Sequence, residues 1–202
     1  GNTQFGAILL LAPLLAAAGR GSLSPAAATD VVESTTVADA VGFYRAFDHV
    51  DVAVSDSPAG VELPDVRQGS DAAPELRERD LTLADVMEKS ADHDGIAAEW
   101  TSEFGWTFEL ARAIERLDGT ISERAAAVYL ALLSRELDTF VITQHNRETA
   151  HEVRRRANAV IDGDEHVEAV AADFVERDIN PGTTADIVAG GLFVALERGL
   201  EV

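Results

Sequence analysis

The chain has 202 residues, with 36 Asp and Glu against 16 Lys and Arg and no cysteine, giving a formal net charge of −20. That length suits one domain with a sizeable core, since a chain of this size buries roughly 70% of its unfolded surface, and 47% hydrophobic residues is too apolar for a disordered acidic tail. The missing cysteines exclude a disulfide scaffold, a thiolate zinc site and a cysteine nucleophile; the charge argues against sequence-independent binding to nucleic acid or anionic membrane, whose phosphates it would repel.

Lys89 is the single lysine, so arginine supplies every other side-chain cation. Surplus carboxylates, almost no Lys and many small apolar residues match a salt-adapted surface, because multimolar salt screens repulsion over about 3 Å. The expectation is a cytoplasmic protein of a salt-accumulating halophile, with an ordinary acidic protein as the alternative.

In chain order, Ala7 to Gly19 is apolar but lacks the positive leader of a secretory signal. It is too short to cross a membrane and is interrupted by Pro13; it reads as a buried helix of a soluble protein. Val37 to Phe47 carries Val37, Val41, Tyr44 and Phe47 on one stripe, as an amphipathic helix would. Ala53 to Pro74, with Pro58, Gly60, Pro64, Gly69 and Pro74, reads as a long acidic loop with at most a short strand at 52–54. Thr82 to Asp85 resembles a capping box opening the next helix. Asp94 to Trp100 and Phe104 to Leu117 predict two more helices, joined or bent near Gly105. Thr120 to Glu123 is a capping box, and Ala125 to Leu137 after it is apolar on nearly all sides, which suits the middle of a bundle. Arg147 to Val160, His166 to Arg177 and about Thr184 to Arg198 complete the pattern, with Gly163 and Gly199 as breaks. The fold class is all-α, a compact multi-helix bundle with one long acidic loop and a single domain over residues 1–202.

Two polar segments stand before helices: Gly1-Asn2-Thr3-Gln4-Phe5-Gly6, and Asn180-Pro181-Gly182-Thr183-Thr184-Ala185-Asp186. Unpaired N–H groups and the positive dipole end make such starts anion sites, yet Asn and Thr are equally the preferred helix caps. A third place is Leu137-Asp138-Thr139-Phe140-Val141. There Asp138 stands in an apolar stretch, where a bare carboxylate is costly. It is either a Mg²⁺ ligand acting with substrate phosphates or a salt-bridge partner of Arg135 or Arg147. Asp92, His93 and Asp94 with Glu99 and Glu103 form a fourth cluster; the two glutamates are spaced to share a helical face and could hold a metal, supply a base or simply face solvent. Arg154-Arg155-Arg156 is the one basic run, open to a triphosphate or to ion pairs. Histidines 145, 151 and 166 lack zinc-site spacing, and no P-loop, dinucleotide or serine-hydrolase motif occurs.

Taken together, GNTQFGAILLLAPLLAAAG, LDTFVI and ERDINPGTTADIVAGGLFVAL resemble the triphosphoribosyl-dephospho-CoA synthase family of the CitG/MdcB type. Its pattern is G-x-N-T-x-x-G, then D-T-N, then S/N-P-G-x-[ST]-A-D before a last apolar helix. Asn2, Thr3 and Gly6 match the first element, Asp138 and Thr139 the second, and Pro181, Gly182, Thr184, Ala185 and Asp186 the third. Gln4 replaces a common His and Phe140 an Asn, and the chain looks closer to the archaeal branch. The family carries an upstream segment with a K-P-G element, whereas this sequence begins inside the first motif, so a fragment or a shortened variant is expected.

The resemblance implies transfer of the triphosphoribosyl group of ATP to a ribose hydroxyl of dephospho-CoA, or a similar acceptor, with release of adenine. It implies that Asp138 and Asp186 hold Mg²⁺ or orient its water and that Glu99 is a candidate base. Asn2, Thr3, Gly6, Thr139, Asn180, Gly182, Thr183 and Thr184 would contact the phosphates or nucleotide. A Mg²⁺-dependent all-α hydrolase of nucleotides or polyphosphates and a non-catalytic truncated helical protein are the other readings.

Overall fold

The computed structural model describes residues 4–50 and 62–201, and these form twelve α-helices, one 3-10 segment and no strand. The helices are α1 (Phe5–Gly19), α2 (Pro25–Glu33), α3 (Val37–Ala46), α4 (Ala73–Glu78), α5 (Leu83–Ser90), α6 (Gly95–Thr101), α7 (Gly105–Arg116), α8 (Ile121–Arg135), α9 (Thr139–Gln144), α10 (Arg147–Asp162), α11 (Val167–Glu176) and α12 (Gly182–Glu197); the 3-10 segment, Val66–Ala72, runs directly into α4. The all-α expectation holds. No helix among the described residues is long and apolar enough to cross a membrane.

Helix starts follow side-chain chemistry. Thr36, Thr82 and Thr120 each accept from the amide three residues on, while Asp39, Asp85 and Glu123 reach back to the capping residue's own amide. Each such reciprocal box satisfies two donors that a helix end leaves free. Ser24 caps α2 with Pro25 behind it, and Asn146 caps α10, which ends at Gly163 with a left-handed φ of 82°.

The chain divides into two compact units, residues 1–105 and 106–202. In the first, α1 packs on α2 and α6, α3 on the 3-10 segment, α4 and α5, and α5 on α6. The Tyr44 hydroxyl donates to the Pro64 carbonyl at 2.8 Å and so pins the returning chain to α3. In the second, α8 packs on α10 and α12, and α9 on α10 and α12. Its core includes Leu133, Val141, Ala150, Val153, Ala157, Val170, Phe174 and Ile179.

Several expectations change. Of the loop expected over 53–74, residues 53–61 lie outside the described residues and the later part is helical: Asp65 caps the 3-10 turn, and Pro74 sits in the first turn of α4, where its missing N–H does no harm. The short strand at 52–54 lies outside the described residues. Helix α1 is one-sided rather than buried throughout, with Leu10, Leu14 and Ala17 enclosed but Ile8 and Leu15 63% and 54% exposed. The same holds for α8, where Val128, Leu132 and Leu133 are buried while Ala126, Ala127 and Ala131 are exposed. Finally, α6 stops at Thr101, and Glu103 and Phe104 both turn left-handed with φ of 57° and 56°. Glu99 and Glu103 therefore share no helical face.

Glycine decides how closely α12 approaches α7. A Cβ at Gly191 would come 3.0 Å from the Leu110 Cβ and 3.3 Å from the Thr107 carbonyl oxygen. Gly191→Val should therefore destabilise by about 1–3 kcal/mol through overpacking. At Gly42, exposed in α3 with no atom within 4 Å of an added Cβ, Ala should stabilise by about 0.5–1 kcal/mol. Chemical denaturation of both variants checks the pair, and equal stability of Gly191→Val and the parent would contradict the close approach.

Candidate active site

The second and third polar motifs meet inside the second unit. Asp138 is the N-cap of α9 and is only 2% exposed. One carboxylate oxygen accepts from the Val141 amide at 3.0 Å, and the other accepts from the Thr184 amide and the Thr184 hydroxyl, each at 2.8 Å. One buried anion thus closes the start of α9 and also holds the start of α12, with Thr184 itself 3% exposed. The sequence left a metal ligand or an arginine partner open for Asp138. The structure gives it neutral donors instead, while Arg135 pairs with Glu109 at 2.8 Å and lies over the Trp106 ring.

A second contact runs parallel to the first. The Thr183 hydroxyl accepts from the Phe140 amide at 3.1 Å and shares a 2.9 Å hydrogen bond with the Thr139 hydroxyl. Gly182 lies flat on Phe140: an added Cβ would come 3.0 Å from that ring. The Gly182 amide donates to the Asn180 carbonyl and the Ala185 amide to the Pro181 carbonyl. Much of the donor set that sequence alone offered to phosphate is therefore engaged within the protein. Half-buried Thr139, Thr183 and Asp186 line this region, and Asn180 is exposed.

Tyr129 of α8 belongs to the same neighbourhood and was not singled out by sequence. Its hydroxyl lies 3.5 Å from the Pro181 carbonyl. Burial, and then the negative charge of Asp138, push its ionisation above the ordinary tyrosine range, so it stays a neutral phenol. The available signal was its place as the one aromatic of an alanine-rich helix.

The remaining residues belong to other elements. Glu99, on α6 of the first unit, is 1% exposed, and Gly6 lies in the first turn of α1; Asn2 and Thr3 are outside the described residues. Asp94 caps α6. Within the basic run, Arg156 is committed to Glu165 and Asp173 and lies over the Phe174 ring. No group of three His, Asp or Glu among the described residues could hold a metal ion.

Fold and site together define an all-α protein whose polar helix starts interlock around one buried carboxylate. The family model described as CitG, ATP:dephospho-CoA triphosphoribosyl transferase, matches residues 1–201. The chain belongs to that family, and it is a transferase enzyme. A crystal structure from Archaeoglobus fulgidus, of a protein provisionally named triphosphoribosyl-dephospho-CoA synthase, has a similar fold, with a TM-score of 0.78 at 23% identity over 98% of this chain and 84% of that one. No curated protein sequence matches significantly.

Asp138 provides a test of the clasp. Asp138→Asn turns an amide N–H toward a donor, which should cost about 1–3 kcal/mol of stability. Burial raises the Asp138 carboxyl above its usual range, partly opposed by the hydrogen bonds from Thr184 and Val141. The folded state then binds the proton more readily than the unfolded chain. This group's contribution is full below about pH 4 and is lost as pH rises through the native value. The stability gap between the parent and Asp138→Asn should accordingly shrink from pH 4 upward in urea titrations; a gap that widens would contradict the raised value.

Proposed function

We propose that the chain carries out the family reaction itself: a ribose hydroxyl of dephospho-CoA, or a closely similar acceptor, attacks C1′ of the ATP ribose. The new bond joins the acceptor oxygen to C1′, the C1′–N9 bond breaks, and adenine leaves with the electron pair while the triphosphate stays on the sugar. The observation that carries this reading is the interlock of Asp138 and Thr139 with Thr183 and Thr184 in a chain of this family.

Within that reading, Asp138 is a positioning residue. Its oxygens hold three donors and are shielded from solvent, which does not fit a metal ligand that must share its ion with substrate phosphates. Asp186, half-buried in the first turns of α12, fits better the one carboxylate that Mg²⁺ needs besides phosphate oxygens; a bound ion would neutralise triphosphate charge there. The dipole of α12 and the Thr139 and Thr183 hydroxyls favour the triphosphate at the same end, with Gly182 and Asn180 shaping the approach; the family motif also assigns nucleotide contacts to Asn2, Thr3 and Gly6. Glu99 is the base that the family resemblance offers for the attacking hydroxyl.

Chromatography for free adenine, with and without dephospho-CoA, tests the reaction. Adenine should appear only with the acceptor; phosphate released from ATP alone would favour hydrolysis, and neither product would remove the enzymatic reading. Glu99→Gln should lower turnover about 10²–10⁴-fold while ATP still binds.

We also propose that the chain works in the cytoplasm of a salt-accumulating archaeal halophile, as its charge of −20 and single lysine suggest. Its thermal midpoint should climb as KCl rises from roughly 0.1 M to 1 M, where the screening length falls from ~10 to ~3 Å. A flat response would remove this proposal.

A further inference from the structure

Between α8 and α12 the second unit carries an open groove of about 280 Å³, lined by Ala125, Ala126, Tyr129, Ala185, Val188, Ala189 and Leu192. Four of the seven are alanines, and none bears a charge, in a chain where 26% of residues are charged. On α12 the lining positions 185, 188, 189 and 192 follow one helical face. That face begins one residue after Thr184, whose amide is held by Asp138. At the same end, Tyr129 places its hydroxyl 3.5 Å from the Pro181 carbonyl. One wall is thus an aromatic ring, the opposite wall is small and aliphatic, and the groove opens toward the amino-terminal end of a 16-residue helix.

We infer that this groove seats the adenine ring of ATP, the base that the reaction expels, with Tyr129 as its aromatic support. This rests on the transferase reading above and adds where the donor nucleotide lies. An uncharged slot with alanine walls admits a flat heteroaromatic ring and disfavours a phosphate. A ring against an aromatic face gains stacking beyond its buried area. Both substrates carry adenine, but the neighbouring positive end of α12 favours the nucleotide with the larger polyphosphate charge, which is ATP. The phenol's raised ionisation keeps the support uncharged beside it.

Filling the groove from its exposed edge tests the inference without disturbing the core. Ala126, which is solvent-exposed, is changed to Leu, and Tyr129 to Leu in a second variant and to Phe in a third. ATP binding is measured by calorimetry on the full chain, and KM for each substrate by the adenine assay. Ala126→Leu and Tyr129→Leu should weaken ATP binding about tenfold, equivalent to ~1.4 kcal/mol, leave the acceptor KM unchanged, and weaken competition by free adenine. Tyr129→Phe, which keeps the ring, should bind ATP like the parent.

Unchanged ATP affinity in both leucine variants would overturn the inference while leaving the reaction standing, and so would a rise confined to the acceptor KM. A parent that binds ATP with the expected variant losses, yet releases no adenine with dephospho-CoA, would overturn the reaction and leave the groove as a nucleotide site. A parent that binds no ATP overturns both.

Discussion

The start of the last helix is held by a single buried carboxylate. Asp138 gives up hydration worth several kcal/mol and recovers three charge-assisted hydrogen bonds, two of them from Thr184. Helix α9 has six residues, too few to persist alone, and depends on this cap and on its packing against α10 and α12. The same anion sets where α12 begins, and with it the placement of Thr183, Asp186 and the groove-lining face. Asp138 therefore shapes this region through geometry.

Small residues let that geometry exist. Gly182 rests on the Phe140 ring and Gly191 on Leu110, so the start and the middle of α12 lie close to their neighbours where any side chain would hold them off. Alanine at four positions between α8 and α12 has the opposite effect, leaving space unfilled. Close packing is the rule in protein interiors, and here the departure from it lies next to the polar clasp.

Much of the fold was legible from local chemistry. Thr82 and Thr120 announced their helices because a capping box is written within four residues, and the structure forms both. Helices α2 and α9 were missed for physical reasons: α2 is a short alanine-rich segment whose buried face is only Ala28, Val31 and Val32, and α9 depends on a partner 46 residues away. Periodicity correctly marked α8 as apolar but could not say that its alanines would face outward. Spacing alone put Glu99 and Glu103 on one face, and only the left-handed turn at Glu103 and Phe104 separates them. The juxtaposition of Asp138 with Thr184 could be suspected only from family motifs, because hydrogen bonds between distant segments leave no periodic trace. Tyr129 had no such motif, only its place as the one aromatic of an alanine-rich helix.

A chain of charge −20 that takes a polyanionic donor faces a repulsion that its cations do little to relieve. Lysine is nearly absent, and of the one basic run Arg156 is already consumed by Glu165 and Asp173. In the proposed site, attraction would come from an ion at Asp186 and from groups that carry no net charge: helix dipoles and hydroxyls near the clasp, and the apolar groove for the base. Dipolar attraction fades within about a helical turn, whereas the unfavourable field of distant carboxylates is long-ranged and removed by salt. Salt thus weakens the repulsion more than the binding. An acidic surface and a neutral, dipole-based site are compatible under those conditions, and substrate affinity in such a protein should strengthen with ionic strength over the range where a lysine-lined phosphate site would lose it.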